Sequence, residues 1–521
     1  MHPAAKLPLL FLLLVGATAT TSTANHAPAP AAGSCVPRER EALLAFKRGI
    51  TGDPAGRLAS WKRGNHDCCR WRGVRCSDNL IGHVFGLHLQ NNFSWYNEAT
   101  ALVGHISTSL LALEHLEHLD LSNNNPVGPA GRFPGIISYW PRVMNMNAYL
   151  RALYLSHCSL TSASQSILQL NFTRLEELDL SHNNFNQPLA SCWFWNLTSL
   201  KYLDLSGNNI VGSLPAAVSK FTSLDTLDLS ENQLFGSVPY EISMLTSLTD
   251  INLRVNNLTG EITEKHLAGL KSLKNIDLSS NHYLKIVVGP EWQPPFKLEV
   301  AIFESCQLGP KFPSWLQWMV DIKILDIWNT GYMDLSSNNI KGPIPGSICE
   351  LQYLRFLNLA NNHLVGEFPH CIGMTEVNYL FLNNNSLSGR VPSFLKGCKQ
   401  LMHLDLSQSK FHGRLPSWIG DFPAVRSLIL NNNVLSGHIP TNITNLTNLQ
   451  DLDLSQNKFH GRLPNWIGDL PKPLLLLLGL LLLAITTLSQ AIHTTPIPKL
   501  GFAATAVACV PRERDALLAF K

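Results

Sequence analysis

The chain has 521 residues, 15% of them charged, and a formal net charge of +3, so charge gives no reason to expect nucleic acid or an acidic membrane surface as partner. Its length alone predicts about three or four globular domains, but copied segments lengthen one stack without adding separate cores. No HExxH, GxSxG, phosphate-binding loop or dinucleotide fingerprint accompanies the nineteen histidines, so the composition points to no enzyme, no cofactor and no metal.

Residues 1–24 carry a weakly basic start (His2, Lys6), an apolar core from Leu7 to Ala17 and small residues at Ser22, Thr23 and Ala24, the plan of a secretory signal peptide. The run from Leu9 to Val15 is too short to cross a bilayer. Seven N-x-S/T sequons, at Asn92, Asn171, Asn196, Asn257, Asn384, Asn442 and Asn445, agree with export and would be open to glycosylation. After a Pro/Ala-rich linker, 25–34, the stretch CVPREREALLAFKRGI from Cys35 predicts a short amphipathic helix. Pro37 suits its first turn, Leu43, Leu44, Phe46 and Ile50 give its apolar stripe, and it ends near Gly52, Asp53 and Pro54.

Trp61, Cys68, Cys69, Trp71, Gly73, Val74 and Cys76 follow, so residues 35–80 have the makings of a small stapled cap over the apolar end of a stack. The adjacent Cys68 and Cys69 suit a tetrahedral metal poorly, and export favours disulfides. Spacing alone leaves three pairings open among these four cysteines.

From residue 81 to 471 one unit recurs. LMHLDLSQSKFHGRLPSWIGD at Leu401–Asp421 returns 48 residues later as LQDLDLSQNKFHGRLPNWIGD at Leu449–Asp469, and half that interval is the period. In the frame LxxLxLxxN the last position is held by Asn92, Asn124, Cys158, Asn183, Asn208, Asn232, Asn256, Asn281, Cys306, Thr330, Asn338, Asn362, Asn385, Ser409, Asn433 and Asn457. Two long early steps insert loops around Ser94–Val103 and Pro126–Ala148, while the step from Thr330 to Asn338 is only 8 residues. A coil so short is expected not to close, which marks 322–340 as the scar of a deletion or of mis-splicing.

One unit, LKYLDLSGNNIVGSLP at Leu200–Pro215, shows the physics. Leu200, Leu203 and Leu205 are predicted to point inward, and the alternation at Leu203, Asp204 and Leu205 makes a short strand. Some fifteen such strands, paired in parallel at about 4.8 Å, would build a curved sheet roughly 70 Å long. Asn208 is expected to turn inward and bond backbone groups of its own and the next coil. Cys158 and Cys306 share that slot as inert buried thiols. Gly212 permits a tight turn and Pro215 fixes the backbone beyond it.

Asp120, Asp179, Asp204, Asp228, Asp277, Asp326, Asp405 and Asp453 form a column on the outward face of the strands. One acid per coil in the same frame is a scaffold feature rather than a set of general acids. The column is broken by Tyr154, Ile302, Phe381 and Ile429, and Trp328 lies close to Asp326. Exposed apolar side chains on a concave face are candidate ligand anchors. Cys349 and Cys371 fall on nearly the same edge of adjacent turns, where a disulfide is geometrically reasonable, whereas Cys192 and Cys398 have no obvious mate.

The array resembles the plant-type leucine-rich repeat, LxxLxLxxNxLxGxIP, most closely at Leu354–Pro369 and Val425–Pro440. The CCxWxGVxC segment at Cys68–Cys76 resembles the plant N-terminal cap of the same family. Together they cover residues 35–471. The implied fold is an α/β repeat solenoid, a leucine-rich-repeat superhelix with a parallel concave sheet and a disulfide-stapled cap. The plan is similar to that of plant receptor-like proteins, which lack a kinase. That resemblance implies pairing of Cys35 with Cys68 and of Cys69 with Cys76. It also implies recognition of an extracellular peptide, glycan or protein, signalling through a partner co-receptor kinase, and a C-terminal membrane anchor. Plant polygalacturonase inhibitors share the cap and repeat, so a secreted inhibitor of a pathogen's cell-wall-degrading enzyme is the alternative.

The tail departs from that plan. Lys472 opens an apolar stretch whose uninterrupted core, Leu474 to Ile485, is short for a membrane span, although 473–492 could serve as an anchor. Cys509–Lys521, CVPRERDALLAFK, repeats Cys35–Lys47 except for Asp515 in place of Glu41. The order of basic residue, apolar core (472–492), spacer and cap start (493–521) therefore reads as the signal peptide and first cap helix of a second, tandem gene copy. On that reading the chain is a fragment without function.

Overall fold

Each period supplies one three-residue strand whose central side chain is buried and whose neighbours face outward, as period-two alternation requires. The computed structural model describes residues 35–77, 82–91, 100–104, 106–124, 148–161, 172–327 and 340–460. Residues 1–34, which include the expected signal peptide, Asn92, Asn171, Trp328 and the whole tail from 461 lie outside them. The chain forms two compact units, residues 1–257 with 269–271, and 258–268 with 272–521.

In the first unit the strand order is Val74–Cys76, Val84–His88, His118–Asp120, Ala152–Tyr154, Glu177–Asp179, Tyr202–Asp204, Thr226–Asp228 and Asp250–Asn252. Only the first of these runs antiparallel to its neighbour, Val74 facing Leu87. In the second unit the order is Asn275–Asp277, Val300–Ile302, Ile324–Asp326, Phe356–Asn358, Tyr379–Phe381, His403–Asp405, Ser427–Ile429 and Asp451–Asp453, in parallel register. This is the α/β leucine-rich-repeat solenoid with its parallel sheet. The side opposite the strands is built from single turns of 3-10 helix, such as Ala216–Lys220, Tyr240–Met244 and Ser393–Gly397. Each starts after a proline whose carbonyl accepts the N–H three residues on, as Pro215 does from Val218 at 3.0 Å.

The cap caps in a literal sense. Helix α1, Pro37–Gly49, buries Leu43, Leu44 and Phe46, and Phe46 meets Trp61, which stacks on Trp71 at 5.6 Å. The buried Glu39 carboxylate accepts from the Val84 N–H at 2.7 Å, tying the helix to the first parallel strand. Cys35 is bonded to Cys68 and Cys69 to Cys76, with Cα separations of 5.3 and 5.5 Å. Arg57, 5% exposed, reaches from the cap into the array and donates to the Leu89 carbonyl at 2.7 Å and to the Asn124 side-chain oxygen. Its net value is that of a buried charge satisfied on several sides.

The frame asparagines are buried as expected, but their second partner coil is the preceding one, not the next. Asn208 donates through Nδ2 to the carbonyls of Leu180, Leu205 and Ser206, and its Oδ1 accepts from the N–H of Phe185. The cause is the turn before it: Gly207 has φ 61°, Glu231 φ 53° and Asn432 φ 55°, all left-handed, which swings the next side chain back under the coil already formed. Cys158 keeps the donor half of this job, its thiol donating to Leu121 O at 3.2 Å, and Cys306 does the same to Leu278 O at 2.9 Å. Burial pushes both thiols' pKa up, so they stay protonated and can donate.

The strand at the start of the irregular stretch 322–340 keeps its pairing, while residues 328–339, where the coil was expected not to close, lie outside the described residues. Ile324–Asp326 pairs with Val300–Ile302 on one side and with Phe356–Asn358 on the other. Leu325 and its partner Leu357 are 32 residues apart, eight more than Ala301 and Leu325. Thr330 and Asn338 lie outside the described residues. Asn362 links the two sides of the step by donating to Ile327 O at 3.0 Å.

Candidate ligand-recognition face

The outward positions of the strands carry the side chains that the fold leaves free, so the candidate site is sought there. The acid column turns out to cap the strand ends. Asp120, Asp179, Asp204, Asp228, Asp277, Asp405 and Asp453 each accept, at 2.9–3.0 Å, the backbone N–H of the serine two residues on. Asn252 and Asn358 do the same with Arg254 and Ala360, both at 3.1 Å. This is the local turn chemistry of Asx residues.

Crowding of these carboxylates has a cost. Burial first, then Asp228 and Asp179 on either side, push the Asp204 carboxyl from 3.8 up to about 6, against the opposing bonds from Ser206. A carboxyl raised in the folded state contributes stability below pH 4 that is lost as the pH rises through about 6. Asp204→Asn keeps an oxygen for Ser206 and removes the charge. The variant should exceed the parent's urea midpoint at pH 7 and match it at pH 4, and equal midpoints at pH 7 would show that the crowding is relieved another way.

Where the column breaks, the anchors expected from the sequence are placed apart. In the first unit Tyr154 is half-buried, paired with Asp179, and its hydroxyl donates to the Glu177 carboxylate. In the second unit Ile302 faces outward between Asp277 and Asp326, and Ile429 between Asp405 and Asp453. Trp328 falls outside the described residues. Phe381 contradicts the expectation of an exposed anchor, being only 8% exposed. Its ring lies 5.7 Å from Phe356 and 6.5 Å from His403, and these neighbours take up the space it would have opened to solvent.

Phe381 is instead one member of a patch that sequence reasoning missed. Phe356, Ala360, Tyr379 and Phe381 form one buried cluster on the strand face, with half-buried Ile324 and Met402 packed against it. Tyr379 stacks on His403 at 5.2 Å and its hydroxyl donates to the Met402 sulfur at 3.3 Å. Burial lowers the His403 pKa, Arg426 adds to this and Asp451 opposes it, so the ring facing the cluster is neutral at pH 7. Ile324, Phe356, Tyr379 and His403 share one row across four successive strands. The signal was present two positions before the acid column, a row with no consensus of its own.

Cys349 and Cys371 are disulfide-bonded, with Cα atoms 4.9 Å apart. Cys192 and Cys398 are buried and free, and burial pushes both thiols up to about 11, which keeps them protonated. Of the sequons, Asn196, Asn257, Asn384 and Asn445 are exposed. Asn384 Nδ2 donates to Asn361 at 2.5 Å, and the half-buried Asn442 donates to the Ser417 carbonyl. The glycan-accepting nitrogens of those two are thus engaged between coils. The one cluster of metal-type ligands among the described residues, Cys35, Cys68 and Cys69, is made of disulfide sulfurs. No helix among the described residues is long and apolar enough to cross a membrane.

Comparison with known proteins agrees with this architecture. Residues 36–77 match the family model of the leucine rich repeat N-terminal domain. Leucine rich repeat models match 112–133, 148–210, 173–234, 329–351, 353–374, 375–435 and 448–470. The receptor-like protein EIX1 of Solanum lycopersicum is 43% identical over 97 residues, which are 17% of this chain and 9% of that relative. Receptor-like protein EIX2 of the same plant is 44% identical over 93 residues, 17% of this chain and again 9% of the relative. The matched stretches thus span under a tenth of those relatives' length. Among solved structures, the plant peptide hormone receptor RGFR1 in complex with RGF2 superposes with a TM-score of 0.54 at 23% identity, covering 75% of this chain and 72% of the other. The PEPR1–AtPEP1 structure gives 0.51 at 22%, covering 83% and 81%. At such identities the likeness is one of fold.

Proposed function

We propose that this chain, a leucine-rich-repeat protein with a plant-type N-terminal cap and homologous to plant receptor-like proteins, is a non-catalytic recognition receptor for an extracellular peptide or protein. The observation that carries the reading is the apolar strip on the strand face of the second unit. The aspartate-rich rows are explained by strand capping, but no requirement of the fold explains Val300, Ile302, Ile324, Phe356, Tyr379, Phe381 and Met402 in outward rows. The buried rings make a rigid floor, and half-buried Ile302, Ile324, Met402 and Ile429 offer apolar contact around it. Interface energy concentrates in such preorganised apolar centres.

Export is supported by the cap disulfides and the sequons, which suit an oxidising compartment and a cell-surface or secreted protein. A partner receptor kinase carries the signal inward, as the family resemblance implies, in defence or development. The test uses the full chain, immobilised and exposed to fractionated apoplastic peptides and proteins. Ile324→Asp with Met402→Asp should lose at least about tenfold in affinity for whatever the parent retains, measured at a temperature where circular dichroism shows both proteins folded. Equal retention by the double variant, or no specific retention by the parent, would overturn the reading.

A further inference from the structure

In the second unit, beside the apolar strip, three successive coils line a recess of about 390 Å³ whose lining includes Tyr353, Gln352, Arg355, Thr375 and Glu376. That size falls within the range of small-molecule sites, about 300–1,000 Å³. The recess lies where one coil departs from its neighbours. The coils on either side carry the helical turns Gly346–Glu350 and Ser393–Gly397, but no helix forms between Pro369 and Asn378. There the chain is held back by the bond between Cys371 and Cys349, turns at Gly373 with φ 97°, and leaves Ile372 92% exposed on the adjoining loop.

Three features of the lining point to a ligand. The Tyr353 side chain is exposed, at 59% for the residue. The Arg355 guanidinium and the Glu376 carboxylate line the same recess, yet neither side chain makes a hydrogen bond or ion pair among the described residues. Lys323, also in the lining, is already committed to Glu299 at 2.5 Å. A free cation and a free anion that share a recess without bridging present donors and acceptors side by side, next to a flat aromatic face.

We propose that this recess binds a short oligosaccharide. A pyranose ring offers the matching surface, an apolar C–H face edged by hydroxyls that both donate and accept. Tyr353 stacks on that face, the Arg355 fork donates to neighbouring hydroxyl oxygens, and the Glu376 carboxylate accepts from hydroxyls. The recess adjoins the apolar strip, Arg355 being next to Phe356 and Lys323 next to Ile324, but Tyr353 is no part of the strip, so its replacement tests the sugar site without touching the residues that carry the proposed recognition of a peptide or protein.

The test titrates the full chain with cellobiose and with digalacturonic acid, followed by saturation-transfer NMR and calorimetry. At least one should bind with a dissociation constant on the order of 1 mM, and Tyr353→Ala should weaken it tenfold or more. Tyr283→Ala, which removes another exposed ring of the same unit at 63% exposure, should leave binding unchanged. Both variants alter exposed side chains, and equal melting temperatures would confirm that the fold is retained. Absence of binding by both sugars at about 10 mM would overturn the proposal. So would binding of the uronic acid alone that survives Tyr353→Ala and vanishes in salt, which would be simple pairing with Arg355.

Discussion

Replacing Cys35 and Cys68 together by serine should lower the stability of the cap by about 4 kcal/mol, the loop-closure value for residues 33 apart in sequence. The loss should be local first. Helix α1 is held to the array by Glu39 on Val84, and to the rest of the cap by Lys47 donating to the carbonyls of Leu58 and Trp61 at 2.7 and 2.9 Å and by the bond between Cys35 and Cys68. Once the disulfide is gone, the remaining bonds must restrain the helix alone. Hydrogen exchange should then show the amides of 37–49 losing protection while those of the strands beyond Tyr202 keep theirs, since repeat arrays unfold in segments. Protection of the helix equal to the parent's would show that the polar contacts suffice.

Asn183→Ala should cost about 3 kcal/mol, because one side chain serves five backbone groups at once. Its Nδ2 donates to the carbonyls of Leu155, Leu180 and Ser181, and its Oδ1 accepts from the N–H groups of Cys158 and Leu160. All five groups are buried or nearly so, and alanine replaces none of the bonds. The readout is the denaturant midpoint together with exchange at Leu160, whose N–H should open in the variant. Ser409 marks the natural comparison, since it holds the same slot with a buried hydroxyl that has no hydrogen-bond partner among the described residues. A loss at Asn183 no larger than that of an exposed asparagine would mean that water takes over the bonds.

The sequence carried the stack and its cap legibly because leucine spacing and buried amides have a single structural use. It could not say which neighbour Asn208 bridges, since a period of 24 looks the same in both directions and the answer rests on the left-handed turn at Gly207. The turn residues there, among them His157, His182, Glu231 and Gln456, share no side-chain chemistry. Phe381 was found and its exposure misjudged for a related reason. Its burial is set by Phe356 in the adjacent coil and by His403 in the next, contacts between strands that no single frame displays. The recess at Tyr353 was equally hidden, because it arises from a helical turn that is missing rather than from a motif that is present.

The retained pairing of Leu325 with Leu357, 32 residues on, has a consequence for how such a chain can change. The step from Leu325 to Leu357 is eight residues longer than the step from Ala301 to Leu325, and the strand pairing on both sides is intact. Residues added out of step with the period therefore need not propagate as a shift of register along the sheet. A change of length between two strands thus leaves the outward rows in line, which the proposed recognition of a ligand across several coils requires.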